Sequence, residues 1–128
     1  MLFDIDLAVD LAPEDQPPTT LARTNYKEMY YSAAQQLAHH ASSGCAMRTG
    51  DLLGTGTISG REAGTFGSLL ELSVGGAEPF ELADGSARTF VEDGDTLTMH
   101  GHASGDGYRI GFGSCEGTIV PAREDQLP

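Results

Sequence analysis

A chain of 128 residues that is 39% hydrophobic is long enough for one compact domain and too apolar to be disordered throughout. Its 19 acidic residues against 7 Lys and Arg give a formal charge of −12, which repels a phosphate backbone or an anionic membrane and excludes both as partners. No run approaches the roughly 20 apolar residues of a membrane span, and MLFDIDLAVD lacks the basic start and continuous apolar stretch of a signal peptide, so a soluble, cytoplasmic protein is expected.

In chain order, Phe3, Ile5, Leu7, Val9 and Leu11 alternate with Asp4, Asp6, Ala8 and Asp10, the period of two that gives a strand one buried and one wet face. A strand starting so close to Met1 needs neighbours. Phe3 to Leu11 is therefore expected to offer an edge to an absent partner strand, and Met1 reads equally as a natural start or a point of truncation. APEDQPP follows as a loop by its prolines and acids. Within TLARTNYKEMYYSAAQQLAHHASSG, Ser32 and Gln35 fit a capping box, Ala33, Ala34, Leu37, Ala38 and Ala41 form a helical stripe, and Gly44 stands where a helix stop belongs. His39 and His40 end this helix. Adjacent helical residues point about 100° apart, so the two cannot chelate one metal; they read as imidazoles near the negative end of the helix dipole, one of them able to pack inward.

The remainder reads as β, with short runs at Leu52 to Thr57, Gly67 to Val74, Ala87 to Glu92, Thr96 to Ala103, Tyr108 to Cys115 and Gly117 to Val120, divided by Gly and Asp turns. EDGD at 92–95 and SGDG at 104–107 are the clearest hairpin connections. With no internal repeat and no second domain, a mainly β roll or sandwich with one packed α-helix is the economical architecture. Cys45 and Cys115 lie far apart and outside any CxxC spacing, and read first as buried free thiols, with a disulfide as the alternative.

DLLGTGTISGREAGTFG, at 51–67, is the stretch that asks for a function. A dinucleotide fingerprint needs a third glycine where Ser59 stands and a helix after it, and a P-loop needs a lysine and helix after Gly60, where Arg61 and Glu62 follow instead; neither phosphate motif fits. A backbone that approaches something closely remains, with Thr55, Thr57 and Ser59 presenting hydroxyls on alternate residues. Glu71, in SLLELSV, reads two ways: a carboxylate on the wet face of a strand, or one carried toward a pocket to orient a histidine or hold a proton. His100 and His102 face the same side of a strand and could give two imidazole ligands, but no third accompanies them. Asp93, Asp95 and Asp106 sit at turns, where bonds to the local backbone account for them.

QQLAHH, RTGDLLGTGTISG, FGSLLEL and GDGYRIGFG, in this order and spacing, closely resemble the carboxyl-terminal third of the fumarylacetoacetate hydrolase family, and the similarity runs from about Phe3 to Ala122. The resemblance implies that family's mixed β-roll/sandwich over residues 1–122, with 123–128 as a tail, and a homodimer. It implies hydrolysis of a carbon–carbon bond, splitting 4-fumarylacetoacetate, a diketo diacid, into fumarate and acetoacetate in tyrosine and phenylalanine breakdown. A histidine activates water, an acidic partner orients it, cationic and amide groups stabilise the developing charge, and a divalent metal, Ca2+ or Mg2+, is held by carboxylates. Glu71 matches the acidic partner, which makes it the catalytic candidate, and Thr57 matches a substrate-binding residue after the glycine turn.

The family's catalytic histidine, metal carboxylates and Arg, Gln and Lys contacts all lie upstream of the matched segment, so the resemblance assigns no metal ligand to this chain. His39 and His40 correspond to the family's helix-end histidines, Tyr31 replaces a usual tryptophan, and Arg61-Glu62-Ala63 replaces a more proline-rich turn. Three readings follow: the terminal portion of such an enzyme, inactive without the amino-terminal remainder; a non-catalytic interaction or oligomerisation module on the same scaffold; or a self-sufficient enzyme with a new site, for which four histidines and few cations are poor material.

Overall fold

A computed structural model describes residues 2–123, so Met1 and all of the expected tail beyond Arg123 lie outside the described residues. Four strands form one antiparallel sheet in the order β2-β1-β5-β6: β1 is Asp6–Ala12, β2 Thr19–Asn25, β5 Thr96–Gly105 and β6 Tyr108–Thr118. A small second sheet pairs β3, Phe80–Glu81, with β4, Ala87–Arg88. Among the described residues the helical elements are α1 at Ala33–Ser42, the single turn α2 at Leu69–Leu72 and a short 3-10 turn at Tyr26–Glu28. The expected class, mainly β with one sizeable helix, is the one observed. Among the described residues no helix is long and apolar enough to cross a membrane.

β1 overturns the expectation of an open edge at Phe3 to Leu11. It is a central strand, paired with β2 on one side and β5 on the other. The neighbour that the sequence concealed is β2, whose TTLARTN runs directly into the helix-bearing segment. Its β-branched threonines suit a pleated surface. Opposite Val9 and Asp10 the register of β2 shifts by one residue, a bulge that lets both Leu21 and Ala22 turn inward, at 8% and 5% exposure. The exposed edge of the sheet is instead β6, where every residue is exposed.

The core is small. Leu11, Leu21 and Leu82 are buried, with Leu69, Leu72, Phe80, Val91 and Leu97 half-buried against them at one end of the sheet's apolar face. Toward the other end that face opens, and Met99 and Phe112 stand 51% and 65% exposed.

The β5–β6 hairpin turns at Asp106 and Gly107 as expected, with Gly107 at a φ of +76° that L side chains rarely adopt. β6 is one continuous strand, where two runs, Tyr108 to Cys115 and Gly117 to Val120, were expected. EDGD is a turn but not a hairpin between paired strands. Of Ala87 to Glu92 only β4 is extended, and it pairs with β3. The turn is stitched to the end of β6 instead, through Gly94 N–H to Ile119 O and Ile119 N–H to Asp95 O, while the buried Asp95 carboxylate accepts from Glu92 N–H at 2.7 Å. Leu52 to Thr57 forms no strand: it finds no partner, and Gly56 at φ +76° breaks the extended path. Cys45 and Cys115 are free, as expected, but exposed rather than buried, because Cys115 lies on the uncovered β6.

α1 carries the expected capping box. Ser32 Oγ accepts from Gln35 N–H and Gln35 Oε1 accepts from Ser32 N–H at 2.9 Å, and Gly44 follows the helix at φ +83°. No residue of α1 is buried; His39 and His40 are both exposed, so neither packs inward.

Candidate functional site

The segment expected as a strand at Gly67 to Val74 is the helical turn α2, and this changes what Glu71 does. Ser68 caps the turn, accepting from Glu71 N–H, and Leu69 and Leu72, three apart, turn one face to the core. Buried Ser73 closes the turn by donating to Leu69 O at 2.7 Å. Val74, Gly75 and Gly76 then take φ values of +49°, +69° and +89° and end it. The polar face of this turn presents Glu71, exposed, toward the glycine-rich loop.

That loop folds back on itself. Gly60 N–H bonds to Thr65 O at 2.9 Å, Thr65 N–H bonds to Glu62 O at 3.0 Å, and Arg23 N–H bonds to Gly64 O at 2.8 Å, which ties the Arg61-Glu62-Ala63-Gly64 turn to β2. Two glycines explain themselves by close approach. A Cβ on Gly60 would stand 2.5 Å from Thr65 Oγ1, and one on Gly67 would stand 2.5 Å from Ile58 O and 2.7 Å from Thr57 Cγ2. The backbone they admit is the protein's own: the start of α2 lies directly against Thr57 and Ile58.

From this approach comes a short chain of hydrogen bonds. Gly67 N–H donates to Ser59 Oγ at 3.0 Å, Ser59 Oγ donates to Glu71 Oε2 at 2.6 Å, and Ser68 Oγ donates to the same Oε2 at 2.9 Å. One carboxylate oxygen therefore takes two hydroxyls, while Oε1 has no hydrogen-bond partner among the described residues. Thr57, two residues before Ser59, is exposed and borders a shallow depression of about 220 Å³ above Leu7, Val9, Ala22 and Met99 on the open part of the apolar face. The two residues singled out in the sequence, Thr57 and Glu71, are thus linked through Ser59 and Gly67. Sequence reasoning noted the Ser59 hydroxyl but not its target, twelve residues away; Ser68-x-x-Glu71 is a cap spacing that would have revealed the helical turn.

His100 and His102 do share one face of β5, and each faces an aspartate on β1. His100 Nε2 is 3.2 Å from Asp10 Oδ2 and His102 Nε2 is 3.3 Å from Asp6 Oδ2. His39 and His40 border a separate depression with Met29, Tyr31, Gln36 and Thr55, away from Glu71. Asp106 lies in the β5–β6 turn and Asp95 serves the turn at 92–95. Among the described residues no three His, Cys, Asp or Glu side chains are gathered to hold a metal. Glu71 has one oxygen committed to serines, so the residues present do not by themselves fit a divalent cation.

A family model described as fumarylacetoacetate (FAA) hydrolase C-terminal matches residues 7–120. The chain is 53% identical over 120 residues to a fumarylacetoacetase of Aspergillus fumigatus, covering 94% of this chain and 28% of that protein. It is 50% identical over 121 residues to the fumarylacetoacetase of Homo sapiens, covering 94% and 29%. With that of Dictyostelium discoideum it shares 47% over 127 residues, covering 97% and 30%. The chain thus spans less than a third of the length of the curated relatives it matches.

Proposed function

The chain belongs to the fumarylacetoacetate hydrolase family through its C-terminal part, and from that premise we propose that it supplies Glu71 and Thr57 to a fumarylacetoacetase, acting on 4-fumarylacetoacetate in tyrosine and phenylalanine breakdown in the cytoplasm. The observation that carries the reading is the state of Glu71: one carboxylate oxygen is fixed by two serine hydroxyls and the other is left free, on a turn whose partner segment carries Thr57.

A carboxylate held this way suits the task of an acidic partner to a histidine. In the reaction, water gives a proton to an imidazole and its oxygen adds to the ketone carbonyl carbon of the fumaroyl group. The carbon–carbon bond then breaks, the electron pair leaves with the acetoacetate fragment, and that carbon takes a proton; fumarate and acetoacetate together account for the substrate and one water. Glu71 Oε1 accepts the imidazole N–H, selects the tautomer that can take the water's proton, and offsets the positive charge that forms. Thr57, at the rim of the depression, offers one hydroxyl proton and two lone pairs to the substrate. The histidine and the groups that stabilise the leaving carbanion come from the rest of the enzyme, so the chain alone is inactive. The divalent metal implied by the family, Ca2+ or Mg2+, would be held by carboxylates of the rest of the enzyme and would supply Lewis-acid chemistry there; no residue of this chain is assigned to it. The complete enzyme is a homodimer, with no nucleic acid or membrane partner.

A second reading is a non-catalytic interaction or oligomerisation module, favoured by one observation: β6 exposes all eleven of its residues, Ile110 and Phe112 among them, along the sheet edge. The test between the two is a chimera in which this chain replaces the corresponding part of the Aspergillus fumigatus fumarylacetoacetase. The enzyme reading predicts turnover of 4-fumarylacetoacetate within about ten-fold of the parent, a loss of less than about 1.4 kcal/mol of transition-state stabilisation. A folded chimera without activity would favour the module.

A further inference from the structure

Ser68 needs no function beyond the fold: it caps α2, and a cap hydroxyl near a glutamate of the first turn is ordinary. Ser59 is different. It lies twelve residues from Glu71, on a loop that the single-turn helix does not require for its cap, yet its bond to Oε2, at 2.6 Å, is the shorter of the two. The hydroxyl is half-buried and fully oriented, since it accepts from Gly67 N–H and so directs its one proton at Glu71. Glu71 is otherwise an exposed side chain on the outer face of a one-turn helix, where only the Ser68 hydroxyl besides Ser59 restrains its rotamer.

We infer that Ser59 is a positioning residue for catalysis, holding the Glu71 carboxylate in the one orientation that leaves Oε1 free for its partner and fixing the Thr57 loop to it. The inference rests on the reading of Glu71 as the acidic partner of the reacting histidine. Its physical content is coupling. The Gly67–Ser59–Glu71 chain ties the carboxylate to the loop that carries Thr57 two residues before Ser59, so a carboxylate released from Ser59 keeps its charge but loses its aim. Misplacement by about 1 Å costs up to roughly 10²-fold in rate, and the remaining Ser68 bond limits the loss here to about ten-fold.

The test is a double-mutant cycle in a full-length fumarylacetoacetase that carries this chain as its carboxyl-terminal part, with kcat and KM for 4-fumarylacetoacetate and the urea midpoint measured for each variant. Ser59→Ala is expected to lower kcat about ten-fold with KM within about three-fold. In a Glu71→Gln background the same change is expected to cost less than about two-fold, because Ser59 acts only through Glu71. A merely structural serine would cost the same factor in both backgrounds, and that result overturns the inference, as does an unchanged kcat for Ser59→Ala beside an impaired Glu71→Gln. Full activity of Glu71→Gln itself would remove the reading of Glu71 and the role of Ser59 with it. Should Ser59→Ala fold poorly, Ser59→Cys, close in volume but a weak donor, carries the same cycle to the same outcomes.

Discussion

Replacing Glu71 by glutamine changes two atoms' chemistry and almost no volume, and the structure dictates how the amide must sit. Ser59 and Ser68 both donate to Oε2, and the amide orientation that keeps both of these bonds together with Gly67 N–H to Ser59 Oγ puts the carbonyl oxygen at the Oε2 position. The amide carbonyl therefore takes the two hydroxyls and the NH2 group occupies the place of Oε1. A donor then faces the imidazole N–H where an acceptor is needed, and the negative charge that offsets the imidazolium is gone. Loss of general-base assistance costs about 10²–10⁴ in rate, which at 1.36 kcal/mol per decade is about 2.7–5.4 kcal/mol of transition-state stabilisation. The assay is loss of substrate absorbance in the full-length enzyme carrying this chain. kcat should fall by two to four decades, while KM, which the proposed function assigns to contacts such as Thr57, should stay within a few-fold. Wild-type turnover in the glutamine variant would refute the reasoning.

Gly67→Ala places a methyl 2.5 Å from Ile58 O, backbone that cannot swing aside, so the full-length enzyme should lose about 1–3 kcal/mol of stability in urea titration and also lose kcat as Thr57 moves; an unchanged protein would mean the two segments do not touch. On the acid side, the Lys27 ammonium and Asn25 amide beside Asp4, and the Ser86 hydroxyl and backbone N–H beside Asp84, hold both carboxyls below the ordinary 3.8. A folded value below the unfolded one adds stability at pH values above the unfolded pKa, and that stability is lost as pH falls through the folded pKa. The urea midpoint of the chain should therefore be insensitive to these two groups from pH 7 to about 5 and fall below about 3.8, with a shallower acid slope in the Asp4→Asn, Asp84→Asn double variant.

What the sequence made legible was local. The alternation of β1, the Ser32–Gln35 box and the Asp106–Gly107 hairpin each carry their signal within a few residues; the box and the hairpin stand where expected, and β1 forms over Asp6–Ala12, starting three residues after the expected Phe3. Failures came where the deciding partner is distant. β2 reads as a lead-in to the helix until β1 is seen beside it, and Leu52 to Thr57 reads as a strand because nothing local reveals that no partner awaits it. SLLELSV has leucines on both sides of Glu71, which fits a strand by composition; the capping serine and the inward pair Leu69 and Leu72 decide for a helical turn.

The site divides in the same way. Thr57 and Glu71 stood out through family resemblance rather than spacing, because their link runs through Ser59 and Gly67 across a closed loop. His100 and His102 were correctly placed on one face, but their partners Asp6 and Asp10 lie some ninety residues earlier, which no spacing rule anticipates.

The central claim, that this chain contributes Glu71 and Thr57 to an active centre completed by other segments, is tested most directly by assaying 4-fumarylacetoacetate hydrolysis for the chain alone and after co-expression with the amino-terminal two thirds of a related fumarylacetoacetase. The account predicts activity in the mixture and none in the chain alone. Activity in the chain alone would contradict it and place the whole reaction on residues of this chain; a folded, associated mixture without activity would contradict it in favour of the interaction module.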